Sequence, residues 1–172
     1  IINCKFIKNH SEANGTISTY ECPLNVYHSL FQSNQAKSDQ SVITSGGCFS
    51  ASYTSLKAIN CMFDDSFAKI GSIGYFTLAS EVKFINCSIV SNKSSSEIIY
   101  SLLEDKGNIS IINCLLYGNS LSDNYKLIHH VGDSLTIFNN LVDLPDCSYI
   151  APSGSVTCGP GMIYNADPLF LD

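Results

Sequence analysis

One short phrase recurs through this chain and limits what it can fold into: two apolar residues, an Asn and a small residue. It reads Ile1-Ile2-Asn3-Cys4, Ala58-Ile59-Asn60-Cys61, Phe84-Ile85-Asn86-Cys87 and Ile111-Ile112-Asn113-Cys114. Val26-Tyr27-His28-Ser29 and Ile137-Phe138-Asn139-Asn140 are degraded copies. Aligned on the Asn, the copies fall at 3, 28, 60, 86, 113 and 139, so the steps are 25, 32, 26, 27 and 26 residues. A nearly fixed period of this size marks a solenoid, in which each repeat buries its apolar face only against its neighbours.

The columns of the alignment give the local structure. Four and two residues before the Asn stand Leu24/Val26, Leu56/Ala58, Val82/Phe84, Ile109/Ile111 and Leu135/Ile137, with polar Asn25, Lys57, Lys83, Ser110 and Thr136 between them. That alternation is a strand with one buried face. The phase breaks at Tyr27, Ile59, Ile85, Ile112 and Phe138, in the same place each time, which predicts a corner. Asn suits a corner because it tolerates the left-handed backbone region. Stacked repeats would let each corner amide donate to one neighbour and accept from the other. Asn3, Asn60, Asn86, Asn113 and Asn139 are therefore expected to form an inner ladder. Beyond the corner Phe6, Phe31, Phe63, Ile89, Leu116 and Val142 continue inward, and a second Asn (9, 34, 92, 119; Ser66 once) closes this strand. A polar loop then leads to a further apolar patch, such as Tyr75 to Leu78 or Ile98 to Leu103. Three short strands thus fill each repeat, and the insert from Gln35 to Ser45 is expected to be loop. No window sustains the 3.6-residue apolar period of a helix. The expected fold is all-β: a right-handed parallel β-helix of about six coils over residues 1–143, each 25–27 residues long. Residues 144–172 read as an irregular cap or last coil. Because Ile1 already lies inside a repeat, further coils of the same chain are expected N-terminal to it.

Three strands per turn with an Asn ladder resemble the right-handed parallel β-helix of the pectate-lyase-like superfold. Phe6-Ile7-Lys8-Asn9 and Phe31-Gln32-Ser33-Asn34, with the looser Phe63 to Ser66, Ile89 to Asn92 and Leu116 to Asn119, resemble the Phe-x-x-Asn phrase of polymorphic outer-membrane protein repeats. Gly46-Gly47-Cys48-Phe49 is similar to the Gly-Gly-Ala-Ile phrase of the same repeats. The resemblance covers about residues 1 to 143. It implies a surface protein, since such repeats occur in bacterial autotransporter and protist surface proteins with proposed adhesive roles. A leucine-rich repeat has a similar period but places its Asn three residues after the second strand leucine; Asn113 follows Ile111 by two, and a helical half is missing.

The chemistry is sparser than the architecture. A net charge of −6 with nine Lys and no Arg offers no basic face for nucleic acid. The enzymes that the resemblance brings to mind need either calcium-binding carboxylates with an Arg base or clustered Asp residues with His. Asp64-Asp65 is an adjacent pair whose side chains diverge, whereas a catalytic pair sits roughly 5 to 9.5 Å apart across a cleft. His129-His130, with Asp133 nearby, would face opposite sides of a strand and could not readily share an ion. Glu104-Asp105 beside Lys106-Gly107 reads as a turn. No cofactor or metal is expected.

Eight Cys without a CxxC pair point to an oxidising compartment. Cys4, Cys61, Cys87 and Cys114 would stack one coil apart, with side-chain directions that favour buried thiols over disulfides. Cys147 and Cys158 close a short loop where the core is thin and are the expected disulfide. Of the sequons at Asn9, Asn14, Asn86, Asn92 and Asn108, Asn14 and Asn108 are placed in turns as candidate glycan acceptors, and Asn86 is placed inside. The expected protein is a non-catalytic extracellular or cell-surface β-helix that presents a strand face and loops to a host or cell-surface protein or glycan. The alternative is a fragment of a polysaccharide lyase or hydrolase with its catalytic coils elsewhere.

Overall fold

The computed structural model describes residues 1–38, 43–79, 81–103, 107–122, 125–151 and 156–169. The strand that leads into the repeated phrase is Leu24–Tyr27, Ser55–Ile59, Glu81–Ile85, Asn108–Ile112 and Ser134–Phe138 in successive coils. These pair in parallel, each residue with its alignment equivalent, to form the first sheet. The strands after the corner, from Lys5–Ile7 through Leu30–Gln32, Met62–Asp64, Ser88–Val90 and Leu115–Tyr117 to Leu141–Val142, form the second. The later apolar patches form another: Ile17–Tyr20, Phe49–Ser52, Gly74–Thr77, Ile99–Leu102 and Ile128–Val131. We call this the fourth sheet. The chain is a parallel β-solenoid of about six turns, as the period predicts.

Four of the coils gain a short third side that the alternation does not reveal. His10–Ser11, Gln35–Ala36, Phe67–Ala68 and Lys93–Ser94 pair as two-residue strands, the third sheet. Two residues are too few for alternation to register, so the sequence reads as loop there. Gln35–Ala36 corrects the loop expected from Gln35 onward. Residues 39–42 of that insert, and the turn expected at Glu104-Asp105-Lys106, lie outside the described residues.

Register makes the core a set of vertical columns. Phe6, Phe31 and Phe63 stack face to face, with ring centroids 4.7 and 5.1 Å apart. Size alternates where rings would collide: Ala58 sits below Phe84 and Ala51 below Phe76, all within 1% of full burial. Gly74 follows the same logic, because a Cβ there would lie 2.3 Å from the Phe76 ring. Each buried Phe contributes on the order of 1.5–3 kcal/mol of transfer free energy.

The segment expected to be an irregular cap or last coil carries the solenoid further. Val156–Cys158 pairs with Leu135 to Ile137, and Ile163–Tyr164 pairs with Leu141–Val142. Ile150 is buried and accepts a backbone hydrogen bond from Ile128 at 2.8 Å. The motif is lost because the coil is shorter: Thr157 stands over Thr136 after 21 residues (157 less 136). A single 3-10 turn, Cys147–Tyr149, capped by the Asp146 carboxylate, replaces the usual connection. Cys147 and Cys158 are disulfide-bonded, with Cα atoms 6.2 Å apart. Among the described residues no helix is long and apolar enough to cross a membrane.

Candidate functional site

The corner is built on backbone conformation. Asn3, His28, Asn60, Asn86, Asn113 and Asn139 all have φ between 50° and 54°. Their N–H groups donate to carbonyls of the next coil, such as Asn60 to Ile85 at 3.0 Å and Asn86 to Ile112 at 3.0 Å. Their side chains are exposed, which corrects the expected inner ladder: a left-handed residue at a strand end swings its Cβ outward. The residue after each one points in instead. Cys4, Ser29, Cys61, Cys87, Cys114 and Asn140 form that inward column.

A second corner repeats the device one position earlier relative to its Asn. Lys8, Ser33, Asp65, Ser91 and Gly118 take the left-handed conformation, so Asn9, Asn34, Ser66, Asn92 and Asn119 follow it. The last three of these Asn turn their amides in. Asn92 Nδ2 donates to Phe63 O at 3.0 Å and to Asn119 Oδ1 at 3.1 Å, while Asn92 Oδ1 accepts from Ser66 N at 3.0 Å. Asn34 Nδ2 likewise donates to Phe6 O, and its Oδ1 accepts from the backbone and side-chain nitrogens of Asn9. Here is the buried Asn ladder. The Phe-x-x-Asn spacing contained it, but the stronger signal of the Ile-Asn-Cys phrase drew the ladder assignment to the wrong column.

Cys4, Cys61, Cys87 and Cys114 are free, as are Cys22 and Cys48. The stacked thiols serve as hydrogen-bonding plugs. Cys87 Sγ donates to Ile85 O at 3.3 Å and Ala58 O at 3.5 Å, and Cys114 Sγ accepts from Cys87 N at 3.3 Å. Its hydrogen bond with Cys114 raises the Cys87 thiol to about 12, with burial adding to the rise. Cys61 is likewise raised, first by its bond with Cys87 and then by burial. Cys114, on the receiving end of the Cys87 bond, is lowered. Burial pushes Cys48 up to about 12, its hydrogen bond to Ser66 Oγ acting in the opposite sense. The three raised thiols, Cys48, Cys61 and Cys87, are held away from the thiolate form that nucleophilic or redox chemistry needs.

The other candidates do not converge. His129 faces out and stacks on Tyr100 with centroids 4.7 Å apart, its Nδ1 4.0 Å from Glu97 Oε1. His130 faces in, 5% exposed, with Nδ1 2.9 Å from Ser101 Oγ and no partner for Nε2. Burial, aided by His129, pushes the His130 pKa down. Ser101 is fully buried, so this Ser–His contact is out of reach of a substrate. Asp64 accepts from Gln32 at 2.9 Å, and Asp65 pairs with Lys93 at 3.0 Å, which holds its carboxyl below the usual range. Both carboxylates are occupied by neighbouring coils. Among the described residues no three His, Cys, Asp or Glu gather as metal ligands. Asn108 is in a strand, half-buried, and its Oδ1 accepts from Ser134 Oγ at 2.7 Å, which corrects its expected turn. Asn14 sits on an exposed bend.

Two outer features remain. The first is a ridge at the exit of the fourth sheet: Tyr20, Tyr53, Leu78, Leu102 and Val131, one from each of five successive coils. Tyr20, Leu102 and Val131 share a register column, and Tyr53 and Leu78 stand one residue further on. Tyr20 is 64% and Val131 52% exposed. Four steps of about 4.8 Å between the five coils make the ridge roughly 20 Å long. The adjacent Tyr75, Tyr100 and His129 rings stack within 8° of parallel, so Tyr100 has both faces, and Tyr75 and His129 one face each, covered by a neighbouring ring. The second feature is a shallow trough along the Asn corner. Two depressions of about 640 and 450 Å³ share Asn86 and Ser88, and Met62 and Leu115 add apolar walls.

A solenoid with such outer surfaces defines the class: a parallel β-helix whose distinctive side chains point outward. No family model matches the chain, and no curated protein or solved structure matches it.

Proposed function

We propose that this solenoid is a non-catalytic segment of a secreted or cell-surface protein that binds a cell-surface protein or glycan through its outer side chains. The observation that carries the reading is the ridge from Tyr20 to Val131. Exposed apolar side chains scattered singly need no explanation, but a contiguous row is characteristic of a contact surface. Tyr is favoured at interfaces because it offers a large contact area with a polar tip. Ring faces stacked on one another leave little for a sugar to lie on, which favours a protein at the fourth sheet. The Cys147–Cys158 disulfide fits an oxidising compartment. Within this reading the finer kinship is to the polymorphic outer-membrane type of repeat, on the Phe-x-x-Asn phrases.

The trough supports the second reading, a polysaccharide-active β-helix, to the extent that a neutral polymer could lie along it. Its walls lack a paired acid and base, so catalysis would belong to other coils. A single experiment separates the two. Purified protein and a Tyr53→Asp/Leu102→Asp variant are tested for binding to intact cells and to a glycan array, and for cleavage of soluble polysaccharides. Saturable cell binding, lost in the variant at unchanged circular dichroism, is the expected result. Binding unchanged by the variant, or cleavage of any polysaccharide, would overturn the proposal.

A further inference from the structure

The five sequons become distinguishable once the two corners are separated. Asn92 is fully buried, and its amide nitrogen bridges Phe63 O and Asn119 Oδ1. A glycan there would require the ladder to open. Asn9 turns its nitrogen along the stack to Asn34 Oδ1 at 2.8 Å. Asn108 is half-buried in the first sheet and bonded to Ser134. Asn86 differs from all three. It sits at the first corner at φ 52°, exposed, and its amide makes no hydrogen bond among the described residues. The sequon hydroxyl, Ser88, leaves the corner on the outer side of the second sheet, so Asn86 and Ser88 line the same stretch of trough while Cys87 turns in. Asn14 is also exposed, its amide makes no hydrogen bond among the described residues, and its Thr16 hydroxyl donates to Gly47 O at 3.0 Å.

We propose that Asn86, with Asn14, is an N-glycan acceptor, and that Asn9, Asn92 and Asn108 are not. The proposal rests on the secretory reading given above. In the reaction the Asn carboxamide nitrogen bonds to the anomeric carbon of a lipid-linked oligosaccharide. The bond from that carbon to the lipid diphosphate breaks, and the amide gives up one proton as the diphosphate leaves. Transfer precedes folding, so the native structure selects by tolerance: a glycan survives in folded protein only where the finished solenoid leaves the amide room. At Asn86 it would stand where the two depressions meet and cover the walls at Met62 and Leu115. The trough would then be shielded and the ridge across the first sheet would be left as the open surface.

The test is expression of the chain behind a secretory leader in a eukaryotic host, with glycosidase treatment in heavy-oxygen water and peptide mapping of the secreted, folded protein. Heavy-oxygen Asp is expected at positions 14 and 86 alone. Asn14→Gln and Ser88→Ala should each remove one step of the gel-mobility shift, and the double variant should remove both. Ser88→Ala is chosen because it deletes the sequon while leaving the Asn86 corner in place. An unmodified Asn86, no glycan on the secreted chain, or a glycan on Asn92 in folded protein each overturns the proposal. Where the natural protein resides is a separate measurement, so a failed localisation and a failed site assignment remain distinguishable.

Discussion

The two corners of each coil use the same residue type in opposite ways. At the first, Asn113 is the left-handed residue, its side chain is exposed, and Cys114 behind it faces the core. At the second, Gly118 is the left-handed residue and Asn119 faces inward, donating to Ile89 O at 2.8 Å. The offset is one residue. Since the left-handed residue swings out and its successor swings in, the position of the bend decides whether an Asn is a conformational part or a hydrogen-bonding one. The inward successor has the same task at both corners. It accepts from the N–H of the coil before and returns a donor to a carbonyl there, as Asn140 does for Cys114 N and Ile111 O.

The largest effect should come from the inward column. Asn92→Ala leaves Ser66 N without its partner in a region closed to water, and it removes the side-chain donors to Phe63 O and Asn119 Oδ1. An orphaned buried N–H costs about 1–3 kcal/mol and each lost hydrogen bond about 1 kcal/mol, so a total loss of roughly 3 kcal/mol is expected in urea unfolding. A loss below about 1 kcal/mol would mean that the ladder is dispensable, and the contrast between the corners would have no energetic content.

The outward column should respond to conformation alone. Asn113→Ala retains the backbone bond from position 113 to Phe138 but forces Ala into the left-handed region, at a cost of about 1–2 kcal/mol. Asn113→Gly, which adopts that region without strain, should come within about 0.5 kcal/mol of the natural protein. If Gly proves as costly as Ala, the amide itself matters and the column is a ladder after all.

How much of this could be read from the sequence follows from what each signal measures. Period and alternation report burial along a strand, so the coils, the inward Phe column and the patches at Tyr75 to Leu78 were legible. The two-residue third sheet was not, because Phe67-Ala68 is shorter than one period of alternation plus its control. The ladder was misplaced because composition identifies Asn as a corner residue without saying which side of the bend it occupies; Lys8, Ser33, Asp65, Ser91 and Gly118 share a conformation but no chemistry. The 21-residue step of the closing partial coil broke the motif, so cap and last coil could not be told apart there. The ridge had no sequence signature either, since Tyr20, Leu78 and Val131 come into line only through register.

Adjacent His129 and His130 repeat the outward–inward contrast within one strand, and pH separates them. The His130 pKa is depressed below its ordinary 6.5 by burial. The unfolded chain therefore binds the proton more readily, so stability from this residue is complete above pH 6.5 and declines as pH falls below it toward the folded value. Thermal melts from pH 7.5 to 5 should show a falling melting temperature, and His130→Leu should flatten that fall. His129→Leu, which removes the smaller of the two causes of the His130 shift, should flatten the fall less. An equal effect of both variants would indicate that the two rings do not differ in environment.

The smallest effect, and the sharpest discrimination, lies in the Cys column. Ser29 already occupies it, 3% exposed, accepting from Cys4 N at 3.1 Å and donating to Tyr27 O at 2.8 Å. A hydroxyl can thus perform the plug function, and Cys87→Ser should cost no more than about 1 kcal/mol, the loss of sulfur contacts being offset by stronger hydrogen bonds. Cys87→Val retains apolar volume but removes the donor to Ile85 O and the acceptor for Cys61 N. If the column is a chain of plugs, Val is the worse substitution despite being the more apolar. If Val is tolerated better than Ser, the thiols are filler, and the correspondence between Cys114 at one corner and Asn119 at the other is one of position without shared chemistry.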